Sequence, residues 1–213
     1  AGADSIVVAS CDVSKRDQVD ALLSGISNQA PLVGVIHLAG VIDDGLIESL
    51  SADRLSRVLD PKVDGAWNLH VAAEGYELQC FALFSSLAGM MGNPGQGNYA
   101  AANVFLDALA ARRRASGQVG TSLAWGPWAQ AGMAMELDSL DQERLKRLGM
   151  LPLSTEEGLA LFDAAIAHED PELMCANFDL KTLQRQANDG AQVPPLLRGL
   201  IAAKTERTSL WLE

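Results

Sequence analysis

The stretch most able to do chemistry runs from Leu83 to Asp107, LFSSLAGMMGNPGQGNYAAANVFLD. An apolar run ends on Ser85 and Ser86, a glycine-rich loop follows, and Tyr99 opens a segment rich in alanine and leucine. Asn103 stands four residues after Tyr99, so on a helix the two side chains share one face. Ser86 precedes Tyr99 by thirteen residues, enough for a loop to bring its hydroxyl back beside the phenol. A phenol is an acid of pKa about 10, and a hydroxyl and an amide beside it make an arrangement suited to proton transfer and hydrogen bonding.

The elements that must hold these residues follow from alternating apolar runs and amphipathic segments. Strands are expected at Ile6–Ala9, Leu32–Leu38, Cys80–Phe84, Thr121–Trp125 and Glu172–Phe178. Helices are expected at Ser14–Ile26, with Ser14 as N-cap and Asp17 three residues on, and at Ser51–Ala73, kinked or split by Pro61. Two more are expected at Tyr99–Arg114, whose terminal arginines suit the helix dipole, and at Ser154–Ala167, with Ser154 and Glu157 as a capping box. Gly89–Gly97 reads as a loop, 126–149 as short helices over a surface, and the tail from Asn188 as a packed short helix leading into a linker. Strand–helix alternation of this kind implies an α/β fold, a Rossmann-like doubly wound parallel sheet with helices on both faces. Ala39–Gly40, Ser85–Ser86 and Gly126–Pro127 all follow strands, so they fall on the carboxyl rim where such sheets bind ligands.

The run from Leu83 to Asp107 resembles the active-site segment of ketoreductase domains of modular type I polyketide synthases, a branch of the short-chain dehydrogenase/reductases. The Tyr-Ala-Ala-Ala-Asn spelling at 99–103 belongs to that branch, in which asparagine stands where most of the superfamily has lysine. The lysine comes from an earlier helix, in a motif matched here by Pro61-Lys62-Val63-Asp64-Gly65-Ala66-Trp67-Asn68-Leu69. The resemblance covers nearly all of residues 1 to about 203. It implies Lys62, Ser86, Tyr99 and Asn103 as catalytic residues. Tyr99 would donate a proton to a ketone oxygen, and Ser86 would hold that oxygen. Lys62 would lower the Tyr99 pKa and bind the nicotinamide ribose, and Asn103 would support a water and Lys62 in a proton relay.

The resemblance also implies NADPH as cofactor, with Asp12 and Val13 at the adenine, Ala39 and Gly40 where the backbone approaches it, and Gly126 and Pro127 lining the nicotinamide pocket, together with Lys62 and Tyr99. His37, in the same strand end, is expected to be a packed core residue. Ile42-Asp43-Asp44 resembles the fingerprint of B-type domains, which give a D (3R) hydroxyl; the tryptophan of the opposite class would fall near Met91, and Ala101 is not the proline of epimerising types. The implied substrate is a β-ketoacyl thioester on the phosphopantetheine of an acyl carrier protein, beside other synthase domains. Residues 1–203 would form the catalytic subdomain with a lid at about 133–151, and 204–213 a linker.

One departure matters. The sequence holds no G-x-G-x-x-G loop, and its first strand matches the family's third. The first two strands, the pyrophosphate loop and the residues that would read a 2′-phosphate are expected from upstream ketoreductase sequence or a partner chain, or have been cut away or lost; a piece of a multidomain synthase is the favoured reading. Without them the sheet would have a gap and unpaired edges, and these 213 residues alone are expected to fold poorly or to be inactive.

Composition narrows the alternatives. A net charge of -11 excludes a protein that grips nucleic acid backbones or docks on anionic lipid. With 48% hydrophobic residues the chain is built for a core. Cys11, Cys80 and Cys175 read as reduced structural thiols of a cytoplasmic protein, and His37, His70 and His168 share no metal-ligand spacing, so no metal is expected. No run is apolar and long enough to span a membrane. A non-catalytic ketoreductase-like domain that braces a neighbour is the main alternative, against which the intact set of four residues argues. A free-standing reductase of small metabolites is the other, against which the Asn103 spelling and the displaced Lys62 argue.

Overall fold

The computed structural model describes residues 5–26, 30–130, 143 and 145–201. Four parallel strands form the sheet: β1 (Gly34–His37), β2 (Cys80–Ser86), β3 (Thr121–Trp125) and β5 (Glu172–Cys175), in the order β1-β2-β3-β5. The register pairs Ser86 with Trp125 and Trp125 with Cys175, so β2, β3 and β5 end together on one rim, while β1 ends with His37 opposite Leu83. A short antiparallel ribbon joins β4 (Met150–Leu151) to β6 (Asn177–Phe178). Between them lie α1 (Arg16–Ser24), α2 (Ala52–Leu59), α3 (Gly65–Ala72), α4 (Leu87–Met91), α5 (Gly97–Ala115), α6 (Thr155–Ile166) and α7 (Leu180–Asn188).

Alternation along β2 explains why helices cover both faces. Phe81 and Leu83 point one way, into a core with Val19, Leu23, Leu69, Leu106 and Leu109 from α1, α3 and α5. Phe84 points the other way, where it meets Trp125, Trp128 and Phe162 of α6. Successive strand residues face opposite sides, so a strand covered on both must be apolar at nearly every position. β3 is the extreme case, with all five residues buried.

Several expectations need correction. Ile6–Ala9 forms no strand: Ile6, Val7 and Val8 are 83%, 88% and 93% exposed, because no neighbouring strand among the described residues supplies ladder partners. β1 is correspondingly the edge of the sheet. The first helix begins at Arg16, and Ser14 does not cap it; its amide and hydroxyl are held by the Asp12 carboxylate at 3.0 and 2.8 Å. The run Glu172–Phe178 is two strands that serve different sheets. The loop expected from Gly89 starts as the short helix α4, which closes at Gly92 with φ +71°, a conformation that suits glycine.

Other expectations hold in detail. Ser51 accepts from the Arg54 amide, and the Ser154–Glu157 capping box is complete. Pro61 does split its helix: α2 and α3 are joined by a π-turn at Asp60–Asp64, in which the Gly65 amide reaches back five residues to the Asp60 carbonyl. Proline has no amide to continue an α-helical ladder, and the wider turn absorbs the defect. Most of the proposed lid lies outside the described residues, as does the linker 204–213. In the described end of that segment, Leu145, Leu148 and Met150 pack against Met90 and Met91. No helix among the described residues is long and apolar enough to cross a membrane.

Candidate active site

The rim at the end of β2 gathers the four residues singled out for catalysis. The π-turn carries Lys62 inward until only 2% of it is exposed, and its Nζ donates to the Phe84 carbonyl at 2.8 Å. A π-turn at a functional residue is a recurring device, since the extra residue redirects one side chain without ending the helix. The same Nζ lies 5.5 Å from the centroid of the Tyr99 ring, over its face. Tyr99 is buried at the first turn of α5, packed with Val58, Ala88, Ala102 and Ile42. Ser86 ends β2 and caps α4, accepting from the Ala88 amide at 3.2 Å.

Asn103 is fully buried one turn beyond Tyr99. Its Nδ2 donates to the Tyr99 carbonyl at 2.7 Å, while its Oδ1 is buried with no hydrogen-bond partner. A buried acceptor left open is costly unless something fills it. The Ser85 hydroxyl donates to the Asn103 carbonyl at 3.3 Å, pinning α5 to β2.

The electrostatics depart from expectation in one respect. Burial raises the Tyr99 pKa above its usual value; hydrogen bonding with Asn103 and Ser86 pulls the other way, and the Asp44 charge adds to the rise. The expected lowering by Lys62 does not dominate, because that ammonium sits over the ring face and is directed at a backbone carbonyl. Lys62 itself is brought down to about 8 by burial, opposed by the negative charge of Asp107. His37 is buried, brought to about 4 by burial and by Lys62, and its Nε2 has no partner, so it is a neutral packed histidine, as expected.

The remaining residues sit around this centre. Gly40 follows β1, and a Cβ there would stand 2.8 Å from Cε of Lys62, so the glycine makes room for the lysine stem. Ala39 precedes it on the same rim. Asp43 accepts from Arg54 Nε and Nη2 at 2.8 and 2.6 Å and from Arg57 Nη1 at 3.0 Å, which lowers its pKa. Asp44 accepts from Gln96 Nε2 at 2.8 Å, and Asn98 Nδ2 donates to the Asp43 carbonyl at 2.9 Å. The Ile42–Asp44 segment is therefore locked between α2 and the start of α5. Asp12 and Val13 are fixed from α1 and α3: the Asp12 amide donates to Gln18, and the Val13 carbonyl accepts from Asn68. Gly126 donates to the Cys175 carbonyl, with Cβ space closed by Ala176 at 3.0 Å, and the Pro127 carbonyl accepts from Leu153.

One charged residue escaped the sequence reading. Asp107 is buried on α5, eight residues after Tyr99 and four after Asn103, and its carboxylate accepts from the Ser122 hydroxyl at 2.6 Å. Its helical spacing was the available signal: 99, 103 and 107 lie on one face.

A doubly wound parallel sheet with a buried lysine, tyrosine and asparagine and a part-exposed serine at its carboxyl rim defines the class of a short-chain reductase site. The KR domain family matches residues 2–130, and the chain belongs to that family, the ketoreductase domains of modular polyketide synthases. These are oxidoreductases that reduce a β-keto group, and membership implies a nicotinamide cofactor. Among relatives, the chain is 52% identical over 207 residues to Polyketide synthase GfsB of Streptomyces halstedii, covering 97% of this chain and 4% of that protein. It is 50% identical over 200 residues to Spectinabilin polyketide synthase system protein NorB of Streptomyces orinoci, covering 93% and 9%. The chain thus spans less than a tenth of these multidomain relatives. Among solved structures, A-type ketoreductases from a modular polyketide synthase superpose with a TM-score of 0.79 at 36% identity, covering 89% of this chain and 40% of that one.

The residues present fit one half of a nicotinamide cofactor. Lys62 and Tyr99 stand together on the rim, beside a glycine at the end of the exposed edge strand β1 and an open acceptor on Asn103. The pyrophosphate half has no glycine loop in this sequence.

Proposed function

We propose that this chain is the catalytic part of an NADPH-dependent ketoreductase that reduces the β-keto group of an acyl-carrier-protein-bound thioester to a D (3R) β-hydroxyacyl thioester. The observation that carries the reading is the buried Lys62 ammonium over the Tyr99 ring, with Ser86 and Asn103 beside the phenol. When bound, the cofactor supplies the hydride. Lys62 and Tyr99 hold its ribose, and Asp12, Val13, Ala39, Gly40, Gly126 and Pro127 line its course. The Ser86 hydroxyl donates a hydrogen bond to the ketone oxygen and stabilises the growing charge. The Tyr99 Oη delivers its proton to that oxygen. Burial keeps the Tyr99 phenol protonated at neutral pH but makes it a weaker acid, and the hydrogen bonds with Asn103 and Ser86, which pull its pKa down, ease release of the proton. A water on Asn103 Oδ1 returns the proton.

Ile42-Asp43-Asp44 is read as the loop that orients the entering chain for the D product. Its clamp by Arg54, Arg57, Gln96 and Asn98 supports a fixed wall. The glycine loop comes from upstream ketoreductase sequence or a partner chain.

The test is NADPH-dependent reduction of a β-ketoacyl thioester by the chain joined to its upstream sequence. Tyr99→Phe is expected to lower kcat by about 10²–10⁴-fold with cofactor binding retained, and chiral analysis to give the D-hydroxy product. A folded, NADPH-binding enzyme without turnover would point to a bracing domain, and an L-hydroxy product would discard the stereochemical assignment alone.

A further inference from the structure

We propose that Asp107 is the buried counter-charge of Lys62, a positioning residue that keeps the ammonium charged and seated at the carboxyl end of β2. The inference rests on the reductase reading for its catalytic meaning, although the pairing itself is a property of the fold.

Lys62 is almost wholly enclosed, and its hydrogen-bond partner, the Phe84 carbonyl, is neutral. A buried ammonium without a compensating charge is costly and tends to lose its proton. Asp107 is enclosed in the same way, held by the Ser122 hydroxyl at 2.6 Å. Hydroxyls satisfy the lone pairs of a carboxylate but do not neutralise it. The two anchoring points are adjacent in the sheet: Ser122 pairs with Leu83, and the next residue of β2 is Phe84, whose carbonyl holds the lysine. One helix face therefore sets the phenol, the amide and the carboxylate in a row, and the carboxylate end closes on the region where the lysine is anchored. The mutual attraction is felt at both groups, raising the pKa of Lys62 and lowering that of Asp107 against larger burial effects.

The groups packed around this pair are accounted for. His37, from β1, opposes the lysine charge only when protonated, and with a pKa near 4 it is neutral across the working range. Tyr99, from α5, is neutral until alkaline pH, with Asp44 acting on it from the loop after β1. Glu172, at the start of β5, is a like charge toward Asp107.

The experiment uses the reductase with its upstream sequence. Asp107→Asn keeps the shape and the Ser122 partner but removes the charge. Loss of that charge makes Lys62 easier to deprotonate, so the alkaline fall in kcat/KM moves toward lower pH by about one unit, and activity on the acid side recovers toward wild type. A uniform loss at every pH with an unmoved alkaline limb would overturn the proposal and leave Asp107 a structural hydrogen-bond acceptor. Thermal melts of Lys62→Met, Asp107→Asn and the double variant decide the pairing without reference to turnover. The double variant is expected to melt well above the value obtained by adding the two single losses, because neither remaining group is a lone buried charge. Additive losses would overturn the proposal. If Asp107→Asn alone fails to fold, recovery of folding in the Lys62→Met background supports it, and failure in both backgrounds overturns it. A wild-type enzyme without turnover would defeat the reductase reading while leaving the melts to judge the pair.

Discussion

Lys62 and Asp107, buried near one strand end, act on each other's charge, and the more accessible residues nearby behave very differently. Asp43 is the clearest contrast. Its carboxylate takes hydrogen bonds from two arginines, which lowers its folded pKa below that of the unfolded chain. A group with a depressed folded pKa contributes stability above the unfolded pKa, near 3.9, and that contribution disappears as pH falls through the folded value. Asp43→Asn is therefore expected to lower the Tm at pH 7, with the gap to wild type closing as pH falls below the ordinary aspartate range, in melts recorded from pH 7 to pH 2. At this scale the sequence was informative about chemistry and silent about support. Tyr99, Ser86, Asn103 and Lys62 could be marked from types, order and spacing, and the fold does bring them together. The two-arginine clamp on Asp43 could not, since Arg54 and Arg57 reach it only once α2 has taken its angle against the loop. Asp107 stood in plain view on the helical face of Tyr99, yet nothing in the sequence says that this position is dry enough for its charge to matter.

Elements were legible wherever local signals decide them. β3, the Ser154 capping box and the division of the long helix at Pro61 were all readable from pattern and punctuation. Errors arose where partners decide. Ile6–Ala9 has strand propensity but nothing to pair with, and the run from Glu172 changes sheets at Ala176, a switch that no periodicity encodes. Packing also overrides propensity inside α6. Gly158 looks like a weak point in a helix, but a Cβ there would lie 2.2 Å from the Trp128 ring, which packs at a tilt against Trp125 with ring centroids 5.0 Å apart. Gly158→Ala gains about 1 kcal/mol of helix propensity and loses more, since forcing atoms into a packed site costs about 1–3 kcal/mol and here three ring atoms lie too close. The expected outcome is a lower midpoint in denaturant melts, with the Trp fluorescence of the folded state altered.

At the scale of the whole molecule, the alternation of strands and helices made the fold class legible in the sequence. Both faces of the sheet are clad, while β1 stands at its edge with Val33, Ile36 and Leu38 about half exposed. The order of a parallel sheet could be anticipated from the family resemblance; which residues are left uncovered is decided by tertiary packing. An exposed parallel edge with apolar side chains is also a receptor for a strand. If the upstream half is supplied as a separate polypeptide, its docking is bimolecular, and activity should rise hyperbolically with its concentration and fall on dilution of both pieces. Titrating the upstream piece into a fixed amount of this chain while following NADPH oxidation checks this; turnover independent of the added piece would refute it. Such behaviour would make the junction ahead of the Ile6–Ala9 run a practical seam for a two-component reductase, switched on by mixing and tuned by mass action rather than by mutation of the site.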